Sequence, residues 1–412
     1  MRIETFKMER MQSTYENQVE CNLSESGVEP MRPEDLLEGD AERLAFLQQK
    51  LGYCQSNGSE ELRDQIALFY PGAKRDNVLV TNGGSEANYA SFWSLLERGD
   101  RAAVMLPNYL QTWGLSRAYA GKADPFRMIE RPDGRGGRRW GLDIAGLKRA
   151  VTKRTKVILV TNPNNPTGGV LDEEEMDAVV AVARASRAWL VVDEIYRGAE
   201  LSGPTTPTFW GRYERTLITS GLSKAFGLPG LRIGWVVGPP AQIAKLWGYH
   251  DYTTIAPGML SDRLARRAMT PSVREEIFAR TRGYVRRYWP IVDGFVKERS
   301  DWLSVIAPVA GAIALIRYDL PIASIPLVER LRTEKSTLVV AGDQTGIPKH
   351  IRIGFGYGAD PSVLHDGLGR IDALMRTLRT GSRKSAAGSR RAAGSGVKRA
   401  AAGGARRAAA AR

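Results

Sequence analysis

Gly221-Leu222-Ser223-Lys224-Ala225-Phe226-Gly227-Leu228-Pro229-Gly230-Leu231-Arg232-Ile233-Gly234 sets one lysine among small residues, with an arginine eight positions later. Glycines flank both, so the backbone can turn sharply and leave room for a bulky planar group against the lysine. A lysine so placed can lose its proton and attack a carbonyl, forming a Schiff base. The arginine offers a planar fork suited to a phosphate. An aldehyde and a phosphate on one planar ring describe pyridoxal 5′-phosphate (PLP), whose site needs further groups from the rest of the chain. The ordinary alternative is an exposed loop lysine ahead of a buried Gly-rich strand.

Working outward, Val191-Val192-Asp193-Glu194-Ile195-Tyr196 ends an apolar strand on Asp193. A carboxylate there is costly without a cationic partner, and a protonated pyridine nitrogen is one. Tyr196, three residues on, could reach a ring hydroxyl; a strand-end cap is the plain alternative for Asp193. Val80-Thr81-Asn82-Gly83-Gly84-Ser85-Glu86-Ala87 places Gly83, Gly84 and Ser85 between a strand and a helix, where free backbone N–H groups attract an anion. Many such turns carry paired glycines for steric reasons alone. In Asn162-Pro163-Asn164-Asn165-Pro166-Thr167-Gly168-Gly169 prolines and glycines fix a loop that presents Asn165 in one orientation. Tyr109, in Pro107-Asn108-Tyr109, either lies flat against the ring or packs in the core. Arg352 sits inside the apolar strand Ile351–Gly354 and needs an anion, either a substrate α-carboxylate or an internal partner.

Short apolar runs alternate with amphipathic ones. Strands are expected at Asn77–Thr81, Ala102–Leu106, Phe126–Glu130, Val157–Val160, Trp189–Val192, Thr216–Thr219 and Ile233–Val237. Helices are expected at Ser85–Leu96, Leu110–Ala120, Asp143–Val151 and Asp172–Ala185. This alternation predicts an α/β chain: a large domain with a mostly parallel, doubly wound sheet. From about Lys245 long helices precede strands at Ile313–Tyr318, Thr337–Val340 and Ile351–Gly354 and a last helix at Pro361–Leu378. This section reads as a smaller α/β domain joined by N-terminal residues. The expected division is 1–45 for an N-terminal arm and part of the small domain, 46–245 for the large domain, 246–379 for interdomain helices and the small domain, and 380–412 for a basic low-complexity tail.

Composition narrows the function classes. The chain has 412 residues, 43% of them hydrophobic, enough for more than one domain. No apolar run approaches the ~20 residues that span a bilayer, and the charged N-terminus does not read as a signal peptide. Two cysteines make no disulfide framework and suit a reducing cytoplasm. Three scattered histidines lack metal-ligand spacing, so no metal is expected. The net charge of +14 is concentrated at the end, because residues 380–412 carry nine Lys or Arg and no acid. That segment has too little apolar bulk to fold and reads as a disordered tail, either a tether for nucleic acid or another polyanion or simply a solvated end.

Taken together and in this order, these motifs resemble the class I/II aminotransferases of PLP fold type I, the aspartate aminotransferase-like enzymes, over approximately Gly52 to Leu378. The resemblance implies an amino-group transfer between an amino acid and a 2-oxo acid by a ping-pong mechanism. Lys224 would hold the cofactor as a Schiff base and then shuttle the proton. Asp193 would pair with the pyridine nitrogen, Asn165 and Tyr196 would bond to the ring oxygen, and Tyr109 would stack on the ring. Gly83, Gly84, Ser85 and Arg232 would hold the phosphate. Tyr53 looks like the tyrosine that reaches the phosphate of a neighbouring subunit, which implies a homodimer with shared sites. Arg352 would clamp the substrate carboxylate. Gly27, in Ser24-Glu25-Ser26-Gly27-Val28-Glu29-Pro30, stands where the family has a Gly-x-Pro segment closing over substrate. Two departures stand out: this Gly27 segment is unusual, and Gly221 stands where a Ser or Thr often bonds the phosphate, with Ser220 or Ser223 as substitutes. Trp113 and Tyr252-Thr253-Thr254 are candidates for side-chain selectivity. A PLP-dependent lyase or oxidase, or a PLP-sensing nucleic-acid-binding regulator, are the alternatives on the same fold.

Overall fold

The computed structural model describes residues 3–358 and 360–380, so the basic segment expected at 380–412 lies, apart from Thr380, outside the described residues. Strands follow in chain order as β1 (Cys21–Asn22), β2 (Val78–Thr81), β3 (Arg101–Leu106), β4 (Ala123–Pro132), β5 (Arg138–Leu142), β6 (Thr155–Thr161), β7 (Trp189–Asp193), β8 (Thr216–Gly221) and β9 (Gly234–Val237). Then come β10 (Leu303–Val305), β11 (Ile313–Tyr318), β12 (Thr337–Leu338), β13 (Val340–Ala341) and β14 (His350–Gly354).

The large sheet runs β2-β9-β8-β7-β6-β3-β4-β5. Strands β8, β7, β6, β3 and β4 are parallel neighbours, while β9 is antiparallel to β2 and β8, and β5 to β4. Its central strands are continuous apolar runs because both faces are covered. Along β6, Val157 and Leu159 join the core on one face with Phe92 and Leu115, and Ile158 and Val160 join the core on the other with Met176 and Val179. Successive strand side chains point to opposite faces, so one strand serves two layers of helices.

The helix Glu173–Ser186 starts where its chemistry predicts. Asp172 accepts from the Glu175 N–H and the Glu175 carboxylate accepts from the Asp172 N–H, a reciprocal cap. Strand β5 departs from the sequence expectation. Its Arg-rich start masks the β period, and it forms as a hairpin with β4 around the glycine-rich turn at 133–137. The expected Thr337–Val340 strand is divided. Thr337–Leu338 pairs with β1 in parallel, and Val340–Ala341 pairs with β14.

The smaller sheet runs β10-β11-β14-β13 and is antiparallel. Its core takes in Val285 and Val292 from the helix Pro271–Lys297, together with Cys21, Leu23 and Val28 from the N-terminal segment. Among the described residues no helix is long and apolar enough to cross a membrane. The parallel strands all end on one edge of the large sheet, where the loops after β3, β6, β7 and β8 face the small sheet's β14. Open α/β sheets bind ligands at the carboxyl ends of their strands.

Candidate active site

At that edge lies a cavity of about 330 Å³, within the usual range for small-molecule sites, roughly 300–1,000 Å³. Lys224, just past β8, and Asp193, the last residue of β7, both line it. Burial pushes the Lys224 amine below its ordinary value, partly offset by Glu25, whose carboxylate lies 4.0 Å away. An amine that loses its proton easily is the nucleophile a carbonyl needs. Burial pushes the Asp193 carboxyl up, while hydrogen bonds from Asn88 Nδ2 (3.1 Å) and the Ile195 N–H (3.1 Å) favour its charged form. Thr219 in turn donates to Asn88 Oδ1 at 2.7 Å and fixes the amide's orientation. No cation among the described residues pairs with Asp193. The adjacent Glu194 is directed elsewhere: it accepts from Thr208 Oγ1 and the Phe209 N–H. Strand alternation separates the two carboxylates.

Gly83, Gly84 and Ser85 form the turn between β2 and the helix Gly84–Leu95, and Ser85 and Gly84 line the cavity. Gly83 has φ +90°, and a Cβ there would lie 2.4 Å from an Arg232 guanidinium nitrogen. The arginine therefore packs directly on the turn, as an anion cradle requires. Gly221 also acquires a steric reason. A Cβ there would sit 2.8 Å from the Ile233 carbonyl oxygen and 3.1 Å from Gly234 Cα. Of the two serines considered as substitutes, Ser220 is buried and donates to the Glu194 carbonyl at 3.3 Å. Ser223 instead lines the cavity, with its hydroxyl 3.4 Å from Arg232 Nη1.

At the opposite end Arg352 is fully buried in β14. Its Nη1 donates to Asn165 Oδ1 at 3.1 Å and its Nη2 to the Ser24 carbonyl, while Nε has no partner. Among the described residues no carboxylate pairs with it, so the internal salt bridge considered from sequence does not form. Tyr196 lies beside it, its hydroxyl pushed up to about 12 by burial. Gly27 abuts the lysine: a Cβ there would meet the Ser223 carbonyl at 3.4 Å and Lys224 Cδ at 3.9 Å. Tyr109 lines the cavity, and its hydroxyl donates to Glu9 Oε1 at 2.8 Å.

Of the side-chain candidates from sequence, Tyr53, Trp113 and the Tyr252-Thr253-Thr254 segment do not line this cavity. Tyr53 is 88% exposed. Trp113 packs against the core that covers one face of the large sheet. Tyr252 is 84% exposed, and Thr253 and Thr254 both donate to the Glu86 carboxylate. Burial pushes the Glu86 carboxyl up, but the His250 imidazole, these two hydroxyls and the Asn82 N–H outweigh it and hold Glu86 at about 2.

The sequence reading missed Asn88 and the helix Lys7–Tyr15, whose Met8, Glu9, Gln12 and Ser13 line the cavity. Both left a signal. Asn88 follows Ser85 by three, on the same helix face, and Glu9, Gln12, Ser13 and Glu16 recur at i, i+3, i+4 and i+7. That stripe is polar where a packing helix would be apolar.

The donors fit PLP: an easily deprotonated amine, a buried carboxylate lacking a cation, an arginine seated on a glycine turn, and a buried guanidinium lacking an anion. The model for aminotransferase class I and II matches residues 32–371. The aspartate aminotransferase of Streptomyces avermitilis is 26% identical over 339 residues, covering 78% of this chain and 81% of that protein. The capreomycidine synthase of Streptomyces vinaceus is 29% identical, covering 80% and 82%. A PLP-dependent aminotransferase from Streptococcus suis superposes with a TM-score of 0.83 at 26% identity, covering 92% of this chain and 99% of that one. The chain therefore belongs to the class I and II aminotransferase family and is a PLP-dependent aminotransferase.

Proposed function

We propose that Lys224 is the residue that carries the amino transfer, receiving the cofactor aldehyde on Nζ and moving the substrate proton with the same nitrogen. PLP, when bound, supplies the aldehyde and the ring that withdraws electrons. Asp193 keeps the pyridine nitrogen protonated, Asn165 and Tyr196 bond to the ring oxygen, and Tyr109 covers the ring. Gly83, Gly84, Ser85, Ser223 and Arg232 hold the phosphate. Arg352 receives the substrate carboxylate, with Asn165 and Gly27 beside it. An amino acid gives up its amino group and leaves as a 2-oxo acid, and a second oxo acid takes that group in the return half.

The observation that carries this reading is the shared cavity, which Lys224, Asp193, Arg232 and Arg352 line together. Lys224→Ala should abolish both the Schiff-base absorbance and turnover, by about 10⁴-fold or more given what removal of a covalent catalyst costs. Retained turnover would overturn the assignment. Supplying an amino acid with a panel of 2-oxo acids separates transfer from the rival chemistries, since ammonia release without a new amino acid would indicate a lyase or oxidase.

The chain is further read as a homodimer in which Tyr53 completes the neighbouring subunit's phosphate site, supported by its exposure beside exposed Leu47 and Leu51. Free Cys21 and Cys54 support a reducing cytoplasm. The chain is also read as a large PLP-binding domain over residues 46–245 and interdomain helices with a small domain over 246–379, which residues 1–45 partly complete.

A further inference from the structure

Four carboxylates face the cavity, and only Asp193 has a task in the chemistry above. Glu9, Glu16 and Glu25 remain. Glu9 and Glu16 stand seven residues apart on one face of the N-terminal helix and its C-terminal cap. Glu25 reaches Lys224 from the segment that runs between that helix and the small sheet. Among the described residues no group donates a hydrogen bond to the carboxylate of Glu16 or Glu25, whereas Glu9 accepts from Tyr109. Burial raises the Glu16 carboxyl and repulsion from Glu25 and Glu9 raises it further, so the three share one electrostatic neighbourhood.

The cations lining the cavity are Lys224, Arg232 and Arg352, and on the proposed function all three are committed to aldehyde, phosphate and α-carboxylate. Arg352 is the independent pointer to a ligand, being fully buried with Nε unpartnered. An amino acid whose carboxylate meets Arg352 has its side chain left among carboxylates, and no lining cation remains for a second acidic group. Like charges brought together in a low-dielectric cavity are destabilising, and an opposite charge between them relieves the strain.

We infer that the amino donor carries a cationic side chain, a primary ammonium or a guanidinium, received by Glu9, Glu16 and Glu25. The inference rests on the transaminase reading and sets this chain apart from enzymes named for aspartate, whose second carboxylate would be repelled here. Glu16 and Glu9 thereby become specificity residues contributed by the N-terminal helix, which lies over the cavity.

The test uses the purified PLP-loaded enzyme without oxo acid, following the cofactor absorbance as L-arginine, L-ornithine, L-citrulline, L-norleucine and L-aspartate are added. L-arginine should exceed its neutral isostere L-citrulline in the second-order rate constant of this half-reaction by at least about tenfold, with L-aspartate slowest. Glu16→Gln and Glu9→Gln should each shrink the arginine-to-citrulline ratio. Calorimetric titration of the PLP-loaded Lys224→Ala protein with arginine and citrulline should show the same order in Kd, independently of turnover. Conversion of citrulline, norleucine or aspartate as efficiently as arginine overturns the inference and leaves the transaminase reading standing. Failure of every amino acid to alter the absorbance overturns both.

Discussion

Asn88 shows how one amide can set the behaviour of a carboxylate it touches. It is buried, donates to Asp193 Oδ2 at 3.1 Å and is itself held by Thr219. Its hydrogen bond favours the charged form of Asp193 against the upward push of burial. Asn88→Leu removes that donor, so the Asp193 carboxyl should rise further and the carboxylate should persist only at higher pH. The acid limb of PLP affinity, measured by fluorescence titration across pH, should move to higher pH. Affinity near neutrality should fall by about 1.5–3 kcal/mol, roughly ten- to hundredfold, the worth of a hydrogen bond to a charged group. An unmoved acid limb would show that Asn88 only fills space. Residue roles of this kind divide by how local they are. Lys224 and Arg232 were legible because the glycines that shape their loop sit beside them in the chain. Asp193 was legible because it ends an apolar strand, where a carboxylate is costly without a partner. The choice between Ser220 and Ser223 did not reduce to such a rule, because it depends on where β7 and Arg232 lie relative to the end of β8.

Among elements, the contact between β9 and the turn after β2 leaves no room for a side chain. A Cβ on Gly234 would fall 2.3 Å from the Gly83 carbonyl carbon and 2.4 Å from the Gly84 nitrogen. Those are backbone atoms at the start of a helix, so they cannot swing aside. Gly234→Ala should cost about 1–3 kcal/mol or more, read as a drop in thermal midpoint, and should weaken PLP binding as the turn is displaced. Gly230→Ala is the control: nothing lies within 4 Å of its Cβ position, so stability should change by less than about 0.5 kcal/mol. A Gly234→Ala protein as stable as the control would contradict the close packing. At this scale the sequence served well wherever an element is buried on both faces. Val157–Val160, Trp189–Val192 and Ile233–Val237 are apolar runs because helices or neighbouring strands cover them. Strand β5 went unread because its partner β4 and the turn between them, and not an apolar run, make it a strand. The N-terminal helix left only a polar stripe at helical spacing, which a search for apolar periodicity passes over, and it packs across the site with Phe6 edge-on to Tyr109 at 4.8 Å.

For the whole molecule the remaining question is assembly. Leu47, Leu51 and Tyr53 are 80, 80 and 88% exposed. The strap they occupy is fastened through Cys54 to the Pro257 carbonyl and through Ser56 to Trp247. Large apolar side chains presented by an anchored strap are what an interface between copies needs. Light scattering after size exclusion should give a dimer, and Leu47→Asp combined with Leu51→Asp should give a monomer that binds PLP at least about tenfold more weakly, because the shared phosphate contact is lost. A fully active wild-type monomer would end the shared-site reading. What the chain's order of residues determined by itself was the α/β alternation, the family and many of the residues that line the cavity, because each depends on short-range spacing along a strand, turn or helix. Only the tertiary structure decided that a polar N-terminal helix lies over the cavity, that three glutamates converge there, and that Arg352 is buried without an acid. Those facts depend on segments hundreds of positions apart meeting in space, and no local periodicity records such a meeting.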